Sequence, residues 1–236
     1  FNRLHIDTPR LKATGYLEAG GDAPAGLRVH LQGRGIEIAD ARHTTLALAG
    51  DNQTAVAIFN VLRAGHVPWI TWRTEGPNVA SLTAFGNMKL TGEVQATQLF
   101  IPHADLELTE VNGVAEIAEG VLQGDRLSAR HLATTGQDGK LWIDFSADHD
   151  PMFLEITTKM QDVSQLPPLL LQWSRNAAFQ NEMRRITQVH GQAHGVLTLD
   201  SRNGKGLEVT ADVAQCQLAA KYDRLPWGVN IEKGRV

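Results

Sequence analysis

The histidines and the acids are where this sequence would do chemistry, if it does any. His190 and His194 are four apart, the spacing that sets two imidazoles on one helix face for a metal ion. Gly191 and Gly195 each follow one of them, and glycine is costly inside a helix, so the pair reads as a helix end running into a strand. Asp148-His149-Asp150 offers adjacent cation ligands, but Pro151 follows directly and the group reads as a polar turn. Cys216 is the one cysteine, which excludes a disulfide within the chain. Its neighbours Val213 to Leu218 alternate as on a strand, so it reads as a buried thiol. There is no Gly-x-Ser-x-Gly elbow and no glycine-rich phosphate loop ahead of a helix. Carboxylates paired for glycoside cleavage would have to meet across a sheet, and no pair stands out. The reading is a protein that is not an enzyme, with no cofactor and no metal.

Composition narrows the partners. The 236 residues are 42% hydrophobic and 20% charged, the balance of a folded globule and not of a disordered chain. The formal net charge is -4 and the longest basic run is Arg184-Arg185, so no clustered positive stripe is available for nucleic acid. No apolar run reaches membrane-spanning length. The start at Phe1 and the strand-like run from Trp227 to Val236 read as the boundaries of a segment from the interior of a longer protein.

The elements that would position any site are mostly strands. Period-two alternation runs through Leu11 to Ala19, through Leu27, Val29 and Leu31, through Ile36 and Ile38, and through Leu46 and Leu48. It returns at Leu90 to Leu99, Asp105 to Leu108, Val114 to Ile117, Val121 to Ala129, Leu141 to Phe145, Met152 to Thr157, Val196 to Leu199 and Leu207 to Val213. Alternation means one covered and one wet face. Asn112-Gly113, Asp138-Gly139 and Asn203-Gly204 supply the chemistry of tight hairpins. Helical spacing is predicted over residues 51–64, capped by Asp51 or Asn52, over 78–85, and over 165–188 with Pro167 and Pro168 in its first turn. Thr14-Gly15-Tyr16-Leu17-Glu18-Ala19 is echoed by Thr91-Gly92-Glu93-Val94-Gln95-Ala96 and, more weakly, by His194-Gly195-Val196-Leu197-Thr198-Leu199. The expected fold is mainly β: one large curved antiparallel sheet, groove-like or sandwich-like, with two or three short helices. Residues 1–236 form one continuous segment, with weak repeat units at about 51–160 and 165–236.

Residues 86–147 carry a more specific order of motifs. Gly86 to Ala96 leads into Leu99-Phe100-Ile101-Pro102. Ala104 to Ile117 follows, with Leu106, Leu108, Val111 and Gly113 at set spacing, and then Gly120-Val121-Leu122-Gln123-Gly124-Asp125-Arg126-Leu127-Ser128-Ala129. This resembles the C-terminal regions of the AsmA-like family of Gram-negative envelope proteins, the group that includes AsmA, TamB and YhdP. A second match is helix 165–188 followed by Val189 to Leu199, and Leu225-Pro226-Trp227 onward looks like the opening of another such block. The motifs are built of glycine and leucine, so they match an order of pattern and transfer no functional residue.

The resemblance implies a long curved sheet folded as a trough, in a periplasmic protein anchored to the inner membrane through a segment outside this chain. It also implies a role in carrying phospholipid toward the outer membrane. Physically, a sixteen-carbon chain in water exposes apolar surface worth about 12 kcal/mol at roughly 0.8 kcal/mol per methylene, which an apolar trough would remove. Residue parity nominates Leu106, Leu108, Ile117, Val121, Leu127, Leu141, Ile143 and Phe145 as trough residues, although one slip of register would reverse their facing. Two other readings stand beside this one. The first is an assembly module with a closed β core that docks other envelope proteins. The second is a carbohydrate enzyme using acids on the wet face.

Overall fold

The alternating segments become twelve strands hydrogen-bonded in one antiparallel sheet, in a computed structural model that describes residues 2–8, 11–19, 26–49, 52–82, 84–147, 149–174 and 176–234. The strands lie side by side in chain order: β1 (Asn2–Thr8), β2 (Leu11–Ala19), β3 (Leu27–Glu37), β4 (Leu62–Gly76), β5 (Met88–Ile101), β6 (Leu106–Ala118), β7 (Val121–His131), β8 (Thr134–Asp144), β9 (Met152–Met160), β10 (Ile186–Asp200), β11 (Glu208–Tyr222) and β12 (Gly228–Gly234). Helices α1 (Ile38–Ala49) and α2 (Gln53–Val61) join β3 to β4, α3 (Val79–Leu82) joins β4 to β5, and α4 (Leu166–Trp173) and α5 (Ala177–Met183) join β9 to β10.

Several local expectations need correction. Residues 38–49 are helix and not strand: the alanines at 39, 41, 47 and 49 favour helix and outweigh the two-residue spacing of Leu46 and Leu48. The first predicted helix is shorter than 51–64. Asn52 caps α2 by accepting from the Ala55 N–H at 3.0 Å, and Leu62 already begins β4. Asp51, the other proposed cap, lies outside the described residues. The stretch 165–188 breaks into two helices, since Asn176 accepts from the N–H groups of Ala178 and Phe179 and starts a new one. Strand β4 was hidden in the sequence because it touches α1, α2 and α3 as well as its neighbouring strands, which blurs its alternation.

Two of the three expected hairpin turns are bulges instead. Asn112-Gly113 lies inside β6 and Asp138-Gly139 inside β8, while Asn203-Gly204 does form the turn after β10. Ala96, Glu110, Arg126 and Asp138 all adopt left-handed backbone, and each sits at a register shift, in β5, β6, β7 and β8 respectively. A bulge bends its strand and raises the local twist, so one bulge per strand in four consecutive strands curls the middle of the sheet. Asn112 stitches two of them together: its Oδ1 accepts from the Ala96 N–H at 3.0 Å and its Nδ2 donates to the Glu110 carbonyl at 2.7 Å.

The three echoed glycines share a structural cause. A Cβ on Gly15, Gly92 or Gly195 would collide with a backbone carbonyl of the adjacent strand, that of His30, Trp69 or Asp212. Each echo therefore marks a close approach of two strands.

Cross-strand partners share a face, so the register identifies the core. Leu122, Ile143 and Met152 pair across β7, β8 and β9, and Leu141, Leu154 and Leu199 pair across β8, β9 and β10. With Leu99, Ile101, Leu106, Leu108, Val111 and Leu127 they form one buried cluster on the concave face, joined by Ile58 and Val61 of α2. Each fully buried side chain of this kind contributes about 1.5–3 kcal/mol of burial.

Candidate functional site

The concave face is covered at two places, and a cavity remains beneath each cover. Beneath α2, a space of about 180 Å³ is lined by Ala57, Val61, Ile101, Ile143, Phe145 and Met152. Ile101 lies in β5 and Ile143 in β8, so the curl brings non-adjacent strands to one cavity. Beneath α4, a space of about 110 Å³ is walled by Leu106, Leu108, Leu154, Ile156, Leu169 and Trp173, with Leu197 and Val213 beyond them.

Helix α4 crosses the trough. It starts after β9, and its last turn is held to the turn between β5 and β6. There Trp173 Nε1 donates to the Ala104 carbonyl at 2.7 Å, and Gln172 Nε2 donates to the carbonyls of Ala104 and Asp105 at 3.1 and 3.0 Å. Seven of the eight residues of the helix are apolar, yet none is fully buried. Helix α5 is tied to the far end of β11, where Glu182 accepts from Tyr222 Oη and from Arg224 Nη2. That carboxylate holds the Tyr222 hydroxyl above its ordinary pKa, because ionisation would end the hydrogen bond it donates.

The floor of the α4 pocket is made of small residues. Ala129, Gly136, Thr158 and Gly195 are register partners across β7, β8, β9 and β10, and all line the pocket. The next row outward is His131, Thr134, Met160 and Ala193. The polar residues lining the pocket include Arg130, His131, Thr134, His194 and Asp212. By the alternation of β7 Arg130 points its side chain to the convex side, away from Ala129 and His131, and pairs there with Glu110 at 3.3 Å. His131 Nδ1 lies 2.7 Å from the Glu107 carbonyl, which can only accept, so that nitrogen carries the proton.

The nominated residues divide between these places. Leu106 and Leu108 line the α4 pocket, and Ile143 and Phe145 line the α2 cavity. Leu127 and Leu141 are buried in the core between them, and Ile117 is half-buried against its margin. Val121 is corrected: it pairs with Ala118 and Asp144, whereas Ile117, Leu122 and Ile143 occupy the concave face. The turn at Glu119-Gly120 sets that register, and Leu122 is the inward residue. Parity missed Leu154, Ile156, Leu197, Leu169 and Trp173. The alternation of β9 carried a signal for the first two, but no local signal places α4 over them.

The remaining polar candidates do not converge. His190 and His194 sit on β10 as exposed residues, with His190 Nδ1 bonded to the Gln188 carbonyl at 2.8 Å. Asp148 of the Asp-His-Asp run lies outside the described residues, and His149 and Asp150 form a turn of left-handed backbone. Cys216 is half-exposed and not buried, beside an open crevice that also meets Lys159, His194, Gln217 and Glu232. Among the described residues no three His, Cys, Asp or Glu side chains are grouped to hold a metal ion, and no helix is long and apolar enough to cross a membrane. No family model, no curated protein and no solved structure matches the chain.

Proposed function

We propose that this chain is a lipid-handling β module of the bacterial envelope, in which the curled sheet shelters part of an acyl chain between its concave face and α4. The observation that carries this reading is the pocket beneath α4, walled by leucine, isoleucine and tryptophan and floored by small residues. An apolar cavity with a polar margin suits an amphiphile. The AsmA-like order of motifs over residues 86–147 supports the same reading, and with it a periplasmic location, anchoring through a segment outside this chain, and phospholipid as the cargo of the whole protein. The role is non-enzymatic.

Native mass spectrometry of the purified chain, with lipid extraction in parallel, tests it. Co-purifying acyl lipid that is lost in Leu169→Asp, with the fold retained by circular dichroism, is the expected result. Leu169 is suited to the test because it lines the pocket from the covering helix and is only half-buried. A lipid-free wild-type protein that also takes up no added acyl lipid would refute it.

A second reading, an assembly module that docks other envelope proteins, draws on one observation. Strand β12 pairs only with Cys216 to Lys221 of β11, so Val209 to Gln215 have no partner on that side among the described residues. Such an edge accepts an added strand.

A further inference from the structure

We infer that the ligand of the α4 pocket is a single acyl chain with a carboxylate head, and that Thr134, with His131 beside it, is the subsite for that head. This rests on the lipid-handling reading above and specifies its ligand. The first observation is an unmet polar group. Thr134 Oγ1 is buried without a hydrogen-bond partner, and Thr134 lines the pocket. Its register places it on the concave face, two residues from Gly136 of the pocket floor. Buried hydroxyls are ordinarily satisfied, and leaving one unmet is unfavourable. Thr158, which also lines the pocket, shows the ordinary outcome: its hydroxyl donates to the Gly195 carbonyl at 3.2 Å. Thr134 has no such carbonyl, so its hydroxyl is available to donate to an oxygen that a ligand brings.

The second observation is the setting of that hydroxyl. His131 is its register partner on β7, and the proton on His131 Nδ1 is committed to the Glu107 carbonyl, which leaves Nε2 for a second partner. A hydroxyl that donates to an oxygen, beside an imidazole nitrogen that accepts a proton, suits a carboxyl head and offers nothing to a trimethylammonium head. The third observation is size. A dry cavity of about 150 Å³ holds one benzene, so about 110 Å³ holds a few methylenes of one chain and not two chains. The chain end runs from Thr134 over the small floor at Gly136 and Gly195 toward Leu154, in the order of the rows along the sheet.

The test compares two amphiphiles with the same tail, dodecanoate and dodecyltrimethylammonium, by displacement of a bound naphthylamine dye from wild type and from Thr134→Val. Valine keeps the β-branched shape and removes only the hydroxyl. Wild type is expected to prefer dodecanoate. Thr134→Val is expected to weaken dodecanoate by about tenfold and to leave the ammonium amphiphile unchanged. Equal dodecanoate affinity in wild type and Thr134→Val would overturn the head-group subsite while leaving the apolar pocket standing. Failure of wild type to bind dye or either amphiphile would overturn the pocket reading itself.

Discussion

Trp173 Nε1 reaches the Ala104 carbonyl at 2.7 Å, across 69 positions of the chain. That contact decides that α4 lies across the trough and not beside it. Trp173→Phe keeps an aromatic ring and removes the donor, while Gln172 still serves the same carbonyl. The expected cost is about 1 kcal/mol, with faster hydrogen exchange confined to α4 and the turn between β5 and β6. Urea unfolding and exchange mass spectrometry check both parts. Exchange that stays unchanged at α4 would show that the Trp173 hydrogen bond is not what holds the helix.

Val121 and Leu122 are adjacent in sequence and face opposite ways. Leu122 is 2% exposed and packs among Ile143 and its neighbours, while Val121 sits on the convex side opposite Asp144. Leu122→Ala is expected to cost about 2–5 kcal/mol, and Val121→Thr about 0.5 kcal/mol or less. The difference in urea midpoint reads the register directly, and equal costs would refute it.

Asn112 bonds to the bulges of two strands through one exposed side chain. Asn112→Ala is expected to destabilise by about 1–2 kcal/mol, the worth of its two short hydrogen bonds beside a longer one to Ser128 Oγ at 3.4 Å, and to loosen β5 and β6 around Ala96 and Glu110. Asn112→Asp preserves the acceptor for the Ala96 N–H but sets a carboxylate oxygen against the Glu110 carbonyl, so it should cost at least as much as alanine. Thermal denaturation of the three proteins gives the order.

Asp200 is held below its ordinary carboxylate pKa chiefly by the hydrogen bonds from Arg202, whose guanidinium also lies over the Phe153 ring at 4.2 Å. A folded-state pKa below the unfolded one means the unfolded chain binds the proton first. The stabilisation is therefore complete above the ordinary carboxylate value and is lost as pH falls through the folded one. Urea midpoints measured from about pH 5 down to about pH 2 should decline less steeply in Asp200→Asn than in wild type. Parallel declines would assign the acid sensitivity to other carboxylates.

Local chemistry alone determined that this chain is a sheet with one apolar face. The alternation of Leu106 and Leu108, of Leu141 and Ile143, and of Met152, Leu154 and Ile156 fixes which residues of a strand can share a face, because side chains alternate strictly along it. Asn52 announced its helix start, and the glycines at 15, 92 and 195 announced a common motif whose cause is the close approach of two strands. The tertiary structure decided what period-two logic cannot. Each left-handed residue at Ala96, Glu110, Arg126 and Asp138 slips the register by a residue, and parity counted across such a slip is unreliable, as Val121 shows. The curl brings Ile101 of β5 and Ile143 of β8 to one cavity, and Trp173 carries α4 to Ala104. The pocket exists only through these contacts between residues far apart in the chain, for which the local pattern of Leu166 to Trp173 holds no signal.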